Sequence, residues 1–235
     1  MKGKIVVKKK ILPTFDIYAS FPSDDLILDY YKNRFNSVFI AYHQFYKPDN
    51  IPMNKFEGDD FPTNAEIRSG CTAISWAEII SKVSLNTPSE MDVGLRTHIG
   101  GLKRQFENKA FSDAIRQFSK ETSISIPDEG CICPFVEGKL LSALHELGYE
   151  WLWVGDEFGI ERRLKWIEDI LIKDELPYSA CSYTPNKKIL IATHWDSHCT
   201  FICANNKLLT SLINKAEIEG FYCDERTKVY WGVGN

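Results

Sequence analysis

The last third of the chain constrains the fold most, because two apolar, β-branched runs lie there with only a short polar segment between them. The runs are "KKILIATHW", residues 187–195, and "CTFICAN", residues 199–205. β-branched and aromatic residues favour strands. So short a connection joins antiparallel strands, because a parallel crossover needs about a dozen residues or more. We therefore predict a β-hairpin at residues 187–205.

The middle of the chain predicts helices instead. Ser75 is followed three residues later by Glu78, the spacing of a capping box, and Thr87 precedes Pro88, which suits the first helical turn. Gly100 and Gly101 then indicate a kink or close helix packing. The remaining predictions are helices at 23–35, 108–122, 135–148, 161–173 and 207–219, and strands at 4–12, 37–45, 149–158, 220–225 and 228–233.

This order predicts an α+β fold rather than alternating βαβ units. We expect a mixed or antiparallel sheet, a helical central region and a β-rich C-terminal third. Residues 1–235 are interpreted as a single domain. The alternative is a small N-terminal piece, residues 1–45, joined by a loop at 46–62 that is rich in Pro, Asp and Asn.

Composition limits the classes of function. The net charge of −4 speaks against a dedicated nucleic-acid binder, and no segment approaches the roughly 20 apolar residues of a membrane helix. Seven cysteines, an odd number, are typical of reduced thiols in a cytosol. We expect a cytoplasmic protein that binds neither nucleic acid nor membrane, and its oligomeric state stays open.

The predicted hairpin has two registers with different chemistry. A two-residue turn at Asp196 and Ser197 places His194 opposite Cys199, whereas a three-residue loop places His194 opposite His198. The second register gathers a coherent surface for burial on one face and places both histidines on the other, and for that reason we favour it.

Two adjacent histidines beside an aspartate suggest a site for a transition metal. His194, His198 and Asp196 are the candidate metal ligands, and the same residues with Cys199 are the candidate catalytic groups. The competing interpretation is a buried hairpin in which Asp196 hydrogen-bonds the turn. No bound cofactor is predicted otherwise, and zinc or another divalent transition metal is the ion that such ligands would hold.

Cys131 and Cys133 lie in "GCICP" beside the predicted start of a helix. Their spacing fits neither the usual zinc knuckle nor the C-x-x-C redox motif, so two small buried hydrophobic residues are the simpler interpretation. If the two thiols approached His194 and His198 in space, the four residues would form a complete ligand set.

Three stretches together resemble a known family: "GCTAISWAEII" (70–80), "THWDSHCTFIC" (193–203) and "GFYCDERTKVYW" (220–231). The chain resembles the YwbB-like proteins, a bacterial family of unknown function, from about residue 36 onward. The ending "DERT…W" is also similar to small bacterial proteins that act by binding partners, such as toxin-immunity proteins. The resemblance implies an α+β protein and transfers no catalytic residue.

Two functions follow from these observations. The first is a binding protein without catalytic activity, regulatory or immunity-like, which acts on a protein partner. The second is a metal- or thiol-dependent hydrolase that uses His194, Asp196 and His198. The absence of a complete catalytic motif favours the first.

Overall fold

The computed structural model describes residues 18, 20–23, 26–56, 60–156, 161–173, 176 and 180–230. The helices within these ranges are α1 (Ile27–Tyr31), α2 (Asn64–Gly70), α3 (Trp76–Lys82), α4 (Pro88–Ile99), α5 (Lys109–Thr122), α6 (Pro134–Glu146), α7 (Ile167–Lys173) and α8 (Asn206–Ala216). The strands are β1 (Ser37–Tyr42), β2 (Phe45–Pro48), β3 (Cys71–Ile74), β4 (Trp151–Gly155), β5 (Arg162–Trp166), β6 (Cys181–Tyr183), β7 (Leu190–Thr193), β8 (Cys199–Ala204) and β9 (Gly220–Tyr222).

One large sheet organises the molecule. Seven strands follow the order β5-β4-β6-β7-β8-β1-β9, and every neighbouring pair is antiparallel. β2 and β3 form a second, two-stranded antiparallel sheet. The α+β class, the helical middle and the concentration of strands in the C-terminal part are confirmed.

Both faces of the large sheet are covered by helices. Buried residues of α1, α3, α4 and α5 form one hydrophobic cluster with one face of the sheet, and those of α2, α6, α7 and α8 form a second cluster with the other face. β8, an interior strand between β7 and β1, is buried at all six positions. This double burial explains why the central strands are continuous apolar runs, without the polar alternation of a half-exposed strand.

Local sequence signals place most helices. The Ser75 hydroxyl accepts from the Glu78 amide and begins α3, and the Thr87 hydroxyl accepts from the Glu90 amide and begins α4 with Pro88 in its first turn. α4 ends at Gly100, whose φ of 72° is left-handed, so this glycine ends the helix and does not kink it.

Several predicted elements differ from the structure. Residues 162–166 form a strand, not the start of a helix, and only residues 167–173 are helical. The predicted loop 46–62 contains part of β2 and a short 3₁₀ helix, Met53–Phe56. The helix predicted at 23–35 covers only Ile27–Tyr31 among the described residues. Beyond Val229 and Tyr230, which lie in a turn, the strand predicted at 228–233 falls outside the described residues, as does the strand predicted at 4–12.

β1, near the start of the described chain, pairs with strands from its C-terminal part. β1 pairs with β8 on one side and with β9 on the other. It therefore connects residues near the start of the chain to residues near its end, and it brings polar side chains from both regions to one edge of the core.

Candidate functional site

The β7–β8 hairpin adopts the register that we did not favour. Thr193 pairs with Thr200 and Ala192 with Phe201, so the same register places His194 opposite Cys199. The prediction that His194 opposes His198 is wrong. The favoured register assumes one apolar face and one polar face. Both faces of these strands are buried, so the polarity of a side chain does not show which face meets solvent. A shift of one residue exchanges the faces of a whole strand.

His198 instead faces a histidine from the other end of the chain. β1 and β8 pair in the register Tyr42 to Cys199, and the His43 amide continues this ladder by donating to the His198 carbonyl at 2.9 Å. Residues paired across two strands point to the same side. His43 and His198 are therefore neighbours, and both are buried.

Two threonines extend this pair into a hydrogen-bonded chain. The His43 Nε2 atom lies 2.8 Å from the Thr200 hydroxyl, and this hydroxyl lies 2.8 Å from the Thr193 hydroxyl. The Nδ1 atoms of His43 and His198 have no hydrogen-bond partner among the described residues. We call His43, Thr193, His198 and Thr200 the histidine cluster, whereas His194 packs separately on Phe21.

Burial keeps His43, His194 and His198 neutral. Desolvation lowers the pKa of His43 to about 3, although the nearby Asp128 main chain acts in the opposite direction. Desolvation also lowers the pKa of His194 to about 3, with a smaller contribution from the Arg96 charge. The pKa of His198 lies well below its usual value, first because of burial and then because of His43 and Arg96. A neutral imidazole can accept a proton or bind a metal, yet no more than 1% of any of these side chains is exposed.

His194 and Asp196 hold the turn of the hairpin. The Asp196 amide donates to Nδ1 of His194, and the Asp196 carboxylate accepts from the Trp195 indole. The His194 ring packs on Phe21, with ring centroids 5.0 Å apart. Gly101 allows the end of α4 to approach this turn, because a Cβ atom there would lie 3.1 Å from that of Asp196. These contacts agree with the interpretation of a buried hairpin with a hydrogen-bonded turn.

The candidate cysteines reach the hairpin only in part. The Gly130 amide donates to the Ser197 carbonyl at 3.1 Å, so the segment before Cys131 touches the turn. The Cys133 thiol instead contacts Gln44, at 3.6 Å from the side-chain oxygen. Among the described residues, no three His, Cys, Asp or Glu side chains come together in an arrangement that could hold a metal ion.

None of the candidate thiols is activated. Burial raises the pKa of Cys131, and Asp128 raises it further. Burial also raises the pKa of Cys133 and outweighs the amides at the start of α6, which lower it. The pKa of Cys199 lies well above its usual value, chiefly through burial. A thiolate is the nucleophilic form of cysteine, so these thiols are poor nucleophiles as they stand.

A buried ion pair lies beside the cluster. The Arg96 Nε atom donates to Asp92 at 2.8 Å, with both side chains 1% exposed, and Arg96 also donates to the Val229 carbonyl at 3.1 Å. One carboxylate oxygen of Asp92 and one guanidinium nitrogen of Arg96 have no partner among the described residues. Burial raises the pKa of Asp92 in spite of the adjacent cation.

Sequence reasoning missed His43, Asp92 and Arg96. His43 has no other candidate residue close to it in the sequence. It approaches His198, which lies 155 residues later in the chain, only because their strands pair. Asp92 and Arg96 are spaced i, i+4, the spacing of an ordinary exposed helix pair. For Asp92 and Arg96, the useful signal is their position in the central part of α4, where the residues from Met91 to Arg96 are all buried.

The β5 edge of the sheet has the reverse character, because large apolar side chains are exposed there. β4 and β5 form a hairpin in which Trp151 pairs with Trp166 and Trp153 with Leu164. Trp151 is 36% exposed, Leu164 is 44% exposed and Trp166 is 38% exposed, and the two exposed indoles lie 4.8 Å apart. We call Trp151, Leu164 and Trp166 the edge patch.

Three cations lie on the same strand. β5 reads Arg162, Arg163, Leu164, Lys165 and Trp166, with no acid among them. Arg163 forms an ion pair with Glu161 at 3.7 Å, and both side chains are 74% exposed. The strand is therefore basic and apolar in a chain whose net charge is −4.

With both regions described, comparison with known proteins places the chain. The family model described as "Protein of unknown function (DUF2711)" matches residues 23–233. The chain belongs to this family. The family match begins earlier than residue 36 and includes both the histidine cluster and the edge patch.

A bacterial relative supports the same assignment. The uncharacterized protein YwbB of Bacillus subtilis (strain 168) is 23% identical over 174 residues, which are 73% of this chain and 77% of YwbB. The predicted resemblance to YwbB-like proteins is confirmed. No solved structure matches the chain. In the described part of the chain, no helix combines the length and the apolar character needed to cross a bilayer.

Proposed function

We propose that the protein is a binding protein without catalytic activity, and that it recognises another protein through the edge patch. The observation that carries this proposal is the exposure of two tryptophans and a leucine side by side on one hairpin. Single exposed apolar residues are ordinary, but a contiguous patch of them is typical of an interaction site. Tryptophan is also enriched among the residues that dominate binding energy.

The edge patch connects directly to the core, which suits a recognition surface. Trp153 stacks on Tyr183 with centroids 6.5 Å apart, and Tyr183 is buried in the central cluster. The patch therefore rests on a rigid sheet. A preorganised surface loses less conformational entropy on binding than a mobile loop does.

A cytosolic, regulatory or immunity-like role belongs to the same proposal. All seven cysteines are free thiols, which is consistent with a reducing compartment. The alternative function, a hydrolase using His194, Asp196 and His198, has less support. The two histidines are buried and face different neighbours, and the Asp196 carboxylate is directed to Trp195.

Site-specific photo-crosslinking tests this proposal. A photoreactive amino acid replaces Trp166 in one protein and Phe106 in a control, because Phe106 is similarly exposed (36%) but lies in a separate 3₁₀ helix, Arg104–Phe106. In cells that carry the native gene, we expect a discrete protein adduct from position 166 and none from position 106.

The captured protein is then purified and its affinity measured. Trp166→Ala should weaken binding by about 30-fold or more, the effect of losing a dominant interface residue. Phe106→Ala should leave the dissociation constant within about threefold of the parent value. Equal adducts at the two positions, or none at position 166, would overturn the proposal.

A further inference from the structure

β5 is an outermost strand of the large sheet, and its hydrogen bonds show which way each residue points. The Asp156 amide donates to the Glu161 carbonyl at 3.4 Å, and the Ile167 amide donates to the Glu150 carbonyl at 2.9 Å. These two bonds flank β4 and β5 in their common register. In an antiparallel ladder, hydrogen-bonded pairs alternate with pairs that are not hydrogen-bonded.

The odd-numbered residues of β5, Arg163 and Lys165, therefore direct their main-chain groups at β4. Arg162, Leu164 and Trp166 direct their N–H and C=O groups away from β4, toward the outer side of the strand. No other strand of the described ranges pairs with this side. Such a row of outward main-chain groups is a template for an added strand.

The side chains of β5 divide between the two faces in the same alternation. Leu164 and Trp166 share a face with Trp151 and Trp153, their partners on β4, whereas Arg163 and Lys165 share the other face. An added strand would therefore meet Leu164 and Trp166, with Arg162 at the start of β5, on one face and two cations on the other.

We propose that β5 binds an extended acidic segment of a partner protein as an eighth strand of the sheet. This inference rests on the proposed function and names the partner's chemistry. In the added strand, apolar residues alternate with Asp or Glu, because residues opposite each other lie on the same face and opposite charges across strands are favourable.

The charges of β5 also decide against a second copy of this chain as the occupant. Two antiparallel copies of β5 centred on Leu164 would place Arg163 of one copy opposite Lys165 of the other. Like charges in that position are destabilising, and cations on edge strands are a known protection against self-pairing. An acidic strand gains from the same two charges.

The probe is a capped seven-residue peptide that alternates glutamate and valine, and the control peptide alternates lysine and valine. Amide NMR spectra of the full chain are recorded with each. The acidic peptide should change the amide chemical shifts of Arg162, Leu164 and Trp166 most, because the N–H groups of these residues point toward the added strand. The control peptide should leave them unchanged.

Two protein variants separate strand addition from simple apolar contact. Leu164→Pro removes an outward N–H without removing a bond to β4, and an edge strand tolerates proline at such a position. Leu164→Ala is the matched control, since it removes the side chain and keeps the N–H. Leu164→Pro should weaken peptide binding by about tenfold relative to Leu164→Ala. The same NMR spectra should show that both variants are folded.

The charge contribution is tested with Arg163→Glu combined with Lys165→Glu, which should abolish the acidic peptide's shifts and create shifts with the lysine peptide. Equal binding by Leu164→Pro and Leu164→Ala, or no shifts with the acidic peptide, would overturn strand addition. A crosslink at position 166 would then still support the proposed function, whereas its absence would remove the basis of both.

Discussion

The histidine cluster and the edge patch lie in one sheet but have opposite relations to water. At the ends of β7, β8 and β1, polar side chains are buried, with His43, His194 and His198 at most 1% exposed. On β4 and β5, two tryptophans and a leucine are more than one-third exposed. The difference is positional, because central strands are covered on both faces, whereas no other described strand pairs with the outer side of β5 and one of its faces is partly exposed. The composition of a stretch therefore does not reveal its surroundings.

The two regions also differ in how strongly their side chains affect the stability of the folded protein. A buried polar group left without a partner costs about 1–3 kcal/mol, so the histidine cluster and its ion pair are sensitive to any change that removes one partner. An exposed apolar side chain contributes little to folding, and its removal mainly affects association. Three measurements test this difference between the two regions.

The largest expected effect is on the ion pair beside the cluster. Arg96→Met leaves the Asp92 carboxylate buried without its cation, and we expect the free energy of unfolding in urea to fall by about 3–5 kcal/mol. Replacing both residues, Asp92→Leu with Arg96→Met, should recover most of this loss. As an exposed comparison, Asp169→Asn breaks the pair with Lys173, 3.4 Å apart, and should cost less than about 1 kcal/mol. A similar loss in the single and double variants would contradict the prediction.

Acidification should produce the next largest effect. The pKa values of His43 and His194 are about 3 in the folded protein, whereas an unfolded histidine has a pKa of about 6.5. The unfolded chain thus takes up more protons, so stability is complete above pH 6.5 and is lost as the pH falls from 6.5 toward 3. Each buried histidine contributes about 1.4 kcal/mol per pH unit in that range.

Asp128 opposes this loss in part. Burial raises its pKa to about 6, so the folded state binds a proton that the unfolded state does not bind until lower pH. The net decrease in the free energy of unfolding between pH 7 and 5.5 should be on the order of 3 kcal/mol. His194→Gln should flatten the curve, because it removes one of the buried histidines. A flat curve for the parent protein would mean that the histidines are accessible to solvent.

The smallest effect on stability should come from the edge patch. Trp166→Thr keeps a strand-forming residue and removes the indole that contacts Trp151. An aromatic pair of this kind contributes about 0.5–1.5 kcal/mol, so the free energy of unfolding should fall by about 1 kcal/mol. Trp76, which is fully buried, supplies the contrast, because Trp76→Ala should cost about 3–5 kcal/mol. Equal losses would show that Trp166 is a core residue and would weaken its role in binding.

Local chemistry made much of the fold predictable. Ser75 and Thr87 cap helices where the sequence places them, because a cap depends on residues only three positions apart. The hairpin at 187–205 and the α+β class were predictable for the same reason, since a short connection permits only antiparallel pairing. The error at 162–166 has a tertiary cause: "RRLKW" alternates polar and apolar residues over only four positions, and pairing with β4 decides its conformation.

Neighbouring residues along the chain predict the capped helices, the hairpin, the class of the fold and the resemblance to the family. The register of β7 and β8, the approach of His43 to His198 and the exposure of particular tryptophans depend on the folded arrangement. The physical reason is that helix caps and short turns are governed by nearby residues, whereas strand order and the covering of a face depend on contacts between distant ones. β1 and β8 are separated by most of the chain, and only their pairing brings His43 beside His198 inside the protein.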